Sequence, residues 1–422
     1  MPRYIGRLLK VAGHIWSLDG YQKVRIKDMS DSEIASKAKR ALVLAPFFST
    51  SMNANRPLSV ACALSEIASV EVMTTDFDHS TKKAQNAQIA PIDRIVYLKT
   101  PPYYNNVSFA RLYSHLLFSL RAALYLRKRW DQYDIVYITL PFNVIAWYVL
   151  RNSSARLKIV DVVDIWPDVL PFPPSVRVLL APLFYCWKWF FKSSVRKANL
   201  VIAVSDDFIG AASKYANRDA KLKRFFIGHE LLVSSIPKQS VITVAYVGNL
   251  GRLYDFDTLL DVLAEDEYRN KMQLYVIGKG DRQEWLISEL ERRGIRYRFF
   301  GAVFDTDRLA EILRSCHIGF NGYYNTTAAF SYKANTYFAA GLPILNSMMG
   351  DLQRLVTERR LGFNYWGGDR SSLRRCFSQI NESTLASMAQ NCTEFFATEI
   401  DRAKIRENML NCLREYTEPS RD

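Results

Sequence analysis

Two cations set among glycine turns are the residues of this chain best suited to chemistry. Arg252 follows Gly248, Asn249 and Gly251 in "AYVGNLGRLYDFD", and Lys333 follows Ser331 in "AFSYKANTYFAAGLPILNS". The second stretch predicts a helix whose orphan amides are capped by the Ser331 hydroxyl and which Gly341 and Pro343 bring to a stop. A lysine in its first turn opposes the helix dipole, so the position asks for an anion. Further turns carry Gly278, Lys279 and Gly280, and then Gly301. Glycine turns, helix N-termini and a few cations in this order favour a diphosphate, held by amides and fixed charges in place of a metal ion. The spacing fits neither a Walker loop nor a GxGxxG fingerprint, which counts against ATPases and NAD enzymes.

These turns must sit at the carboxyl ends of buried strands, and the hydrophobic pattern supplies them. "ALVLAPF" (41–47), "VEVMTTDF" (70–77), "DRIVYLK" (93–99), "DIVYITL" (134–140), "KIVDVVDIW" (158–166) and "LVIAVSD" (200–206) alternate with helical stretches. After a poorly patterned stretch the alternation restarts with "ITVAYVG" (242–248), "MQLYVIG" (272–278), "YRFFG" (297–301), "IGFNGY" (318–323) and "PILNS" (343–347). Buried strands alternating with helices predict two Rossmann-like α/β halves with parallel sheets. The expected divisions are an extension at 1–40, a first half at 41–228, a linker at 229–240, a second half at 241–395 and a C-terminal helix at 396–422. That last helix is expected to pack back towards the first half, within a closing segment read as helical throughout.

The 422 residues are ample for two cores, and the formal charge of +14 with a pI near 9.4 points to anionic partners: nucleic acid, a membrane face or phosphorylated small molecules. Six cysteines without CxxC pairs or zinc spacing, and no secretory signal, read as reduced cytosolic thiols. Five scattered histidines give a metal site no support. The longest apolar run, 135–150, holds Pro141 and Asn143 and reads as strand then helix, so no membrane crossing is expected.

Three stretches suggest a membrane surface. Residues 3–16 interleave Arg3, Arg7 and Lys10 with apolar residues, as an amphipathic helix on anionic lipid or a helix packed on the domain. "LRAALYLRKRW" (120–130) and "LFYCWKWFFKSSVRK" (183–197) mix cations with aromatics, as a bilayer-facing surface or as core stripes with a basic rim. Asp164 in "DIWPD" is the first-half carboxylate suited to ligand binding or proton removal, or else to a cap or hinge contact. His115 reads as a packed histidine.

The ordered set "YVGNLGRLYDFDTLLDVL", "LYVIGKGDRQEWL", "YRFFGAVFDTDRLAEILRSCHIGF" and "SYKANTYFAAGLPILNSMMGDLQRLVTERRLGF" resembles the donor domain of retaining family-4 glycosyltransferases of the GT-B fold. "VVDIWPDVL" (162–170) and "KANLVIAVSDDF" (197–208) resemble acceptor-domain segments of bacterial members, so the likeness runs over roughly 41–415. It implies two Rossmann-like domains facing a central cleft. It also implies metal-independent sugar transfer from a nucleotide-diphosphate donor, which is a co-substrate and not a cofactor. The Gly248–Gly251 loop would face the diphosphate or sugar, and Arg252 and Lys333 would neutralise the leaving group. Gly301, Ala302 and Val303 would line the base slot, and Thr336 would stand where relatives bind ribose. The departing diphosphate can itself serve as base, so no enzymic nucleophile is required. The implied acceptor is a lipid-linked or other saccharide in surface-polysaccharide assembly, met at the cytoplasmic face of the cell membrane and without nucleic acid.

Two departures stand out. Ala328 and Thr336 replace the family's paired glutamates, and the first-half glycine loop is replaced by "PFFSTSMNANRP", offering Asn53, Asn55 and Arg56 to an acceptor. Two other readings stay open: a non-catalytic GT-B subunit that binds a membrane or partner enzyme, and a nucleotide-sugar 2-epimerase, whose acid–base carboxylates and histidines are not found.

Overall fold

The computed structural model describes residues 39–49, 55–79, 81–105, 108–167, 173–324 and 330–417. The expectations for the N-terminal extension, Asn53 and Ala328 fall outside them. The strands are β1 (Arg40–Leu44), β2 (Ser69–Thr75), β3 (Phe77–Asp78), β4 (Lys83–Ala84), β5 (Arg94–Leu98), β6 (Ile135–Leu140), β7 (Leu157–Val162), β8 (Leu200–Ala203) and β9 (Lys221–Arg224). The second half adds β10 (Ile242–Val247), β11 (Met272–Ile277), β12 (Tyr297–Gly301), β13 (Ile318–Asn321), β14 (Ile344–Asn346) and β15 (Gly362–Asn364).

Two wholly parallel sheets result, ordered β5-β2-β1-β6-β7-β8-β9 and β12-β11-β10-β13-β14-β15, with β3 and β4 as a small hairpin. Strands such as Ala41–Leu44 and Ile135–Leu140 are buried along their whole length because helices cover both faces. The order of each sheet reverses beside its first strand, between β1 and β6 and between β10 and β13. Ligands of open α/β sheets bind at such switch points.

On one face of the first sheet, helices Phe109–Leu126, Asn143–Asn152 and Ala181–Lys197 bury Phe118, Val149 and Val195. On the other, Arg56–Leu64 packs with the last helix, Arg402–Thr417. The core on this side continues into the second half through Phe226, Phe338 and Phe395. Segments after the carboxyl ends of β8 and β14 touch, through Asp207 and Asp351, so these edges of the sheets face one another.

The helical reading of the closing segment needs correction. Helix Glu382–Phe395 passes into a π turn at Phe396–Ile400 and breaks before Arg402. At the break the His229 amide donates to the Ile400 carbonyl (3.0 Å) and the Arg402 amide to the His229 carbonyl (3.1 Å). The crossover between halves thus takes backbone groups that a continuous helix would have used itself. Strands β9, "KLKR", and β15 were not anticipated. The first is a polar edge strand without an apolar pattern and the second has three residues.

Candidate active site

The turns at the carboxyl edge of the second sheet are laced together through their backbones. The Gly248 amide donates to Ile277 (2.9 Å), that of Leu250 to Lys279 (2.9 Å), that of Arg282 to Leu250 (2.9 Å) and that of Gly278 to Gly301 (2.7 Å). Gly278 is needed for this. Its φ is +150°, and a β-carbon there would lie 1.8 Å from the Gly248 carbonyl oxygen. Across the switch point the β10 loop joins the segment after β13: Asp255 donates to Gly322 (3.2 Å), Tyr324 to Leu253 (3.1 Å), and Tyr254 bridges Tyr323. Fully buried Asp255 anchors the loop by accepting from the Tyr365 hydroxyl (3.1 Å) and the Gly368 amide (2.8 Å).

Lys333 enters this junction from the helix Tyr332–Ala339, its stem lying against Gly248. The ammonium sits 3.4 Å from the centroid of the Tyr254 ring, 4.6 Å from that of Tyr246 and 4.7 Å from that of Tyr323, and donates to the Tyr246 hydroxyl at 3.3 Å. Among the described residues no carboxylate pairs with it. Burial alone holds its pKa well below the usual lysine value.

Ser331 occupies the N-cap position of that helix, but its hydroxyl does not cap it. It donates instead to Asn321 (2.8 Å), the first of three asparagines in register at the ends of β13, β14 and β15. The Asn321 amide donates to Asn346 (2.9 Å), the Asn346 amide to Asn364 (2.8 Å), and the Asn364 amide to the Gln353 carbonyl (2.8 Å). This ladder, buried at Asn321 and Asn346, ties the start of the Lys333 helix to the sheet. Sequence reasoning missed it, although three strands ending "GFN", "ILN" and "GFN" carried the signal.

The other expected donor residues lie around this centre. Asn249 is exposed, and its carbonyl accepts from the Tyr246 hydroxyl. Arg252 is exposed beside an open recess of about 450 Å³ that it lines with Asp281, Arg282 and Trp285. Ala302 is exposed and Val303 half-buried just beyond β12. Thr336 is buried facing the crossover, 3.2 Å from His229 Nε2, and donates to the Tyr332 carbonyl (3.3 Å).

In the first half, the expected acceptor residues turn inward. Asn55 caps the helix Arg56–Leu64 by accepting from the Leu58 amide (3.3 Å) and donates to the Ser49 carbonyl. Arg56 lies in the core, 2.6 Å from Asp161, which also accepts from Tyr137; it donates to the carbonyls of Phe225 and Phe226. A buried guanidinium needs such a partner, and Asp161 on β7 supplies it. Both residues stand at the start of the helix that follows β1, buried, with their side chains turned to these partners.

What that edge presents is a cluster from four segments that sequence reasoning did not assemble. Asp164 accepts from the Ile165 amide (3.0 Å) and from Trp166 Nε1 (2.7 Å), and burial raises its pKa. The Arg111 guanidinium lies 4.5 Å from the Trp166 ring. His79 meets the Tyr103 hydroxyl at 2.9 Å, its pKa lowered to about 4 by burial and by Lys82 and Arg111. His115 is packed against Phe47, Phe142 and Trp166, and burial keeps it neutral.

Two Rossmann-like sheets facing one another at their carboxyl edges, with a cation and glycine turns at the second switch point, define a GT-B protein. Residues 242–380 match the family model for glycosyl transferases group 1. No curated protein matches by sequence. Among solved structures, sucrose-phosphate synthase from Thermosynechococcus elongatus superposes with a TM-score of 0.68 at 16% identity, covering 90% of this chain and 99% of its own. HepE of Anabaena, in complex with UDP and glucose, gives 0.60 at 15% identity over 89% and 100%. WaaG, a glycosyltransferase involved in lipopolysaccharide biosynthesis, gives 0.60 at 13% identity over 88% and 99%. At these identities the likeness is one of fold.

Proposed function

We propose that the protein transfers a hexosyl or related group, with retention, from a nucleotide-diphosphate sugar to a lipid-linked or other saccharide acceptor in cell-surface polysaccharide assembly. Lys333 carries the reading: a buried ammonium with no carboxylate partner among the described residues, set at the switch point against glycine-laced turns. A diphosphate in that place would supply the missing negative charge, and fixed donors stabilise a leaving diphosphate best when already positioned. Arg252 would close over it from the exposed side, and the Gly301–Val303 turn would line the base slot. The UDP bound in the HepE structure makes a UDP-sugar the first donor to try. In the first half, Asp164 beside Trp166 and Arg111 would meet the acceptor.

Peripheral contact with an anionic membrane is part of the proposal. Phe109, Tyr113 and Leu116 are exposed along one helix, and Val178, Leu179, Leu183, Tyr185 and Trp189 along two others, with Lys188 and Lys192 nearby in sequence. Exposed aromatics beside cations suit a bilayer interface. No helix among the described residues is long and apolar enough to cross a membrane.

A non-catalytic role has one observation in its favour: Thr336, which stands in place of the family's second glutamate, is turned to His229. Thermal-shift titration of the full chain with UDP-, GDP-, dTDP- and CMP-sugars, followed by NMR of the anomeric product, separates the readings. One preferred donor and a retained anomer are expected. Binding without turnover supports the non-catalytic role, and stabilisation by none overturns the donor site.

A further inference from the structure

We propose that Tyr254, with Tyr246 and Tyr323, is a positioning residue for Lys333: the rings form an aromatic cage that aims the ammonium at the donor diphosphate. The inference rests on the donor-site reading above and deepens it.

The geometry is that of a cation–π site. The Lys333 ammonium lies 3.4 Å from the Tyr254 ring centroid, with the rings of Tyr246 and Tyr323 at 4.6 and 4.7 Å. Three elements contribute the cage: Tyr246 from β10, Tyr254 from the glycine-rich loop and Tyr323 from the segment after β13. The Tyr254–Tyr323 bridge and the edge-on contacts of Tyr254 with Tyr323 (5.0 Å) and Tyr246 (5.7 Å) keep the rings in register. Among the described residues the titratable groups facing the amine are these phenols, and burial pushes each of them up, so none becomes a counter-ion near neutral pH.

The cage therefore does two opposing things. Its dryness disfavours the charged amine, while the ring faces favour it. A diphosphate arriving over the loop favours the ammonium, so that wherever the amine is neutral donor binding takes up a proton at Lys333. A leucine at position 254 keeps the dryness and removes the nearest ring face, whereas phenylalanine keeps both.

The test uses the full chain, with UDP and inorganic pyrophosphate as probes, in Y254F, Y254L and K333M. Calorimetry across pH is expected to show Y254F binding UDP like the parent, and Y254L binding about tenfold more weakly at neutral pH. The Y254L deficit should narrow as pH falls, because a lower pH protonates the amine more readily, and K333M should lose the proton uptake. Equal loss in Y254L at every pH, or no loss, overturns the cage. A second readout needs no donor: competitive acylation of Lys333 against pH should give a lower midpoint in Y254L than in the parent and Y254F. Unchanged midpoints overturn the cage even if UDP binds. If UDP and pyrophosphate both fail to bind while the midpoint falls in Y254L, the cage stands and the donor reading fails.

Discussion

Asp207 and Asp351 cap each other's helices across the two halves of the molecule. The Asp207 amide donates to the Asp351 carboxylate (2.9 Å) and the Asp351 amide to the Asp207 carboxylate (3.0 Å). Each carboxylate thus meets the positive end of the other's helix. Gly350, at φ +84°, admits the approach, since a β-carbon there would lie 2.5 Å from Asp207 Oδ2. Arg354 spans the joint to Asp206 (2.8 Å) and Asp351 (2.9 Å). D351A should therefore lower stability by about 1–2 kcal/mol in denaturant unfolding. It should also enlarge the radius of gyration in solution scattering, because the lost contact is one between halves. An unchanged radius would show that other contacts hold the halves together.

Lys333 should cost stability where it serves binding. Its folded pKa is depressed from 10.5, so between the folded value and 10.5 the unfolded chain holds a proton that the folded chain does not. Stability attributable to this group therefore rises with pH through that window. K333M should melt higher than the parent at neutral pH, and the advantage should shrink towards pH 10.5. If the donor reading is right, turnover should fall by roughly two to three orders of magnitude. A lower melting temperature at pH 7 would contradict the buried, unpaired amine.

Arg56 is expected to matter for folding and not for acceptor affinity. R56A leaves Asp161 buried without its cation and should cost about 3–5 kcal/mol. R56K should recover little, since one ammonium cannot replace a fork that reaches Asp161 and the carbonyls of Phe225 and Phe226 together. The double variant R56M/D161L should recover much of the loss. Urea titration of the set measures the coupling. If R56A is stable but raises the acceptor KM, the residue faces the ligand after all.

The asparagine ladder should transmit to the site. N346L strands the polar groups of Asn321 and Asn364 and should cost roughly 2–3 kcal/mol. The milder N321S should keep the fold while loosening Ser331 and the start of the Lys333 helix, seen as a raised donor KM. Donor kinetics identical to the parent would make the ladder purely structural.

The exposed apolar residues should set membrane affinity. L179E and Y185E should weaken flotation with anionic vesicles by about tenfold or more, as lost burial and added repulsion combine. Turnover on a water-soluble acceptor should be unchanged. Vesicle binding unaffected by either variant would place the contact elsewhere.

Much of the scaffold could be read without coordinates. Alternating apolar runs place the parallel strands, because a strand buried on both faces needs an unbroken apolar stretch. Glycine spacing marks the turns at their carboxyl ends, because only glycine permits the close approach of Gly278 to Gly248. Lys333 stood out by being in the wrong place for its own helix. Local pattern could not say what the side chains meet. Ser331 was expected to cap and instead serves Asn321, because the register of three short strands lines up acceptors that a local reading cannot see. Arg56 was read as an acceptor-binding residue, and its pairing with Asp161, 105 residues away, is invisible to a local reading.

The sequence by itself therefore determined the two α/β halves, the glycine turns and a lysine set against its own helix dipole, all consequences of neighbouring residues and backbone sterics. Only the tertiary structure decided the tyrosine cage, the asparagine ladder, the buried Arg56 and the exchange of caps between Asp207 and Asp351. Each of these joins residues from separate strands or helices, and their meeting follows from sheet order and packing rather than from anything in the adjoining chain.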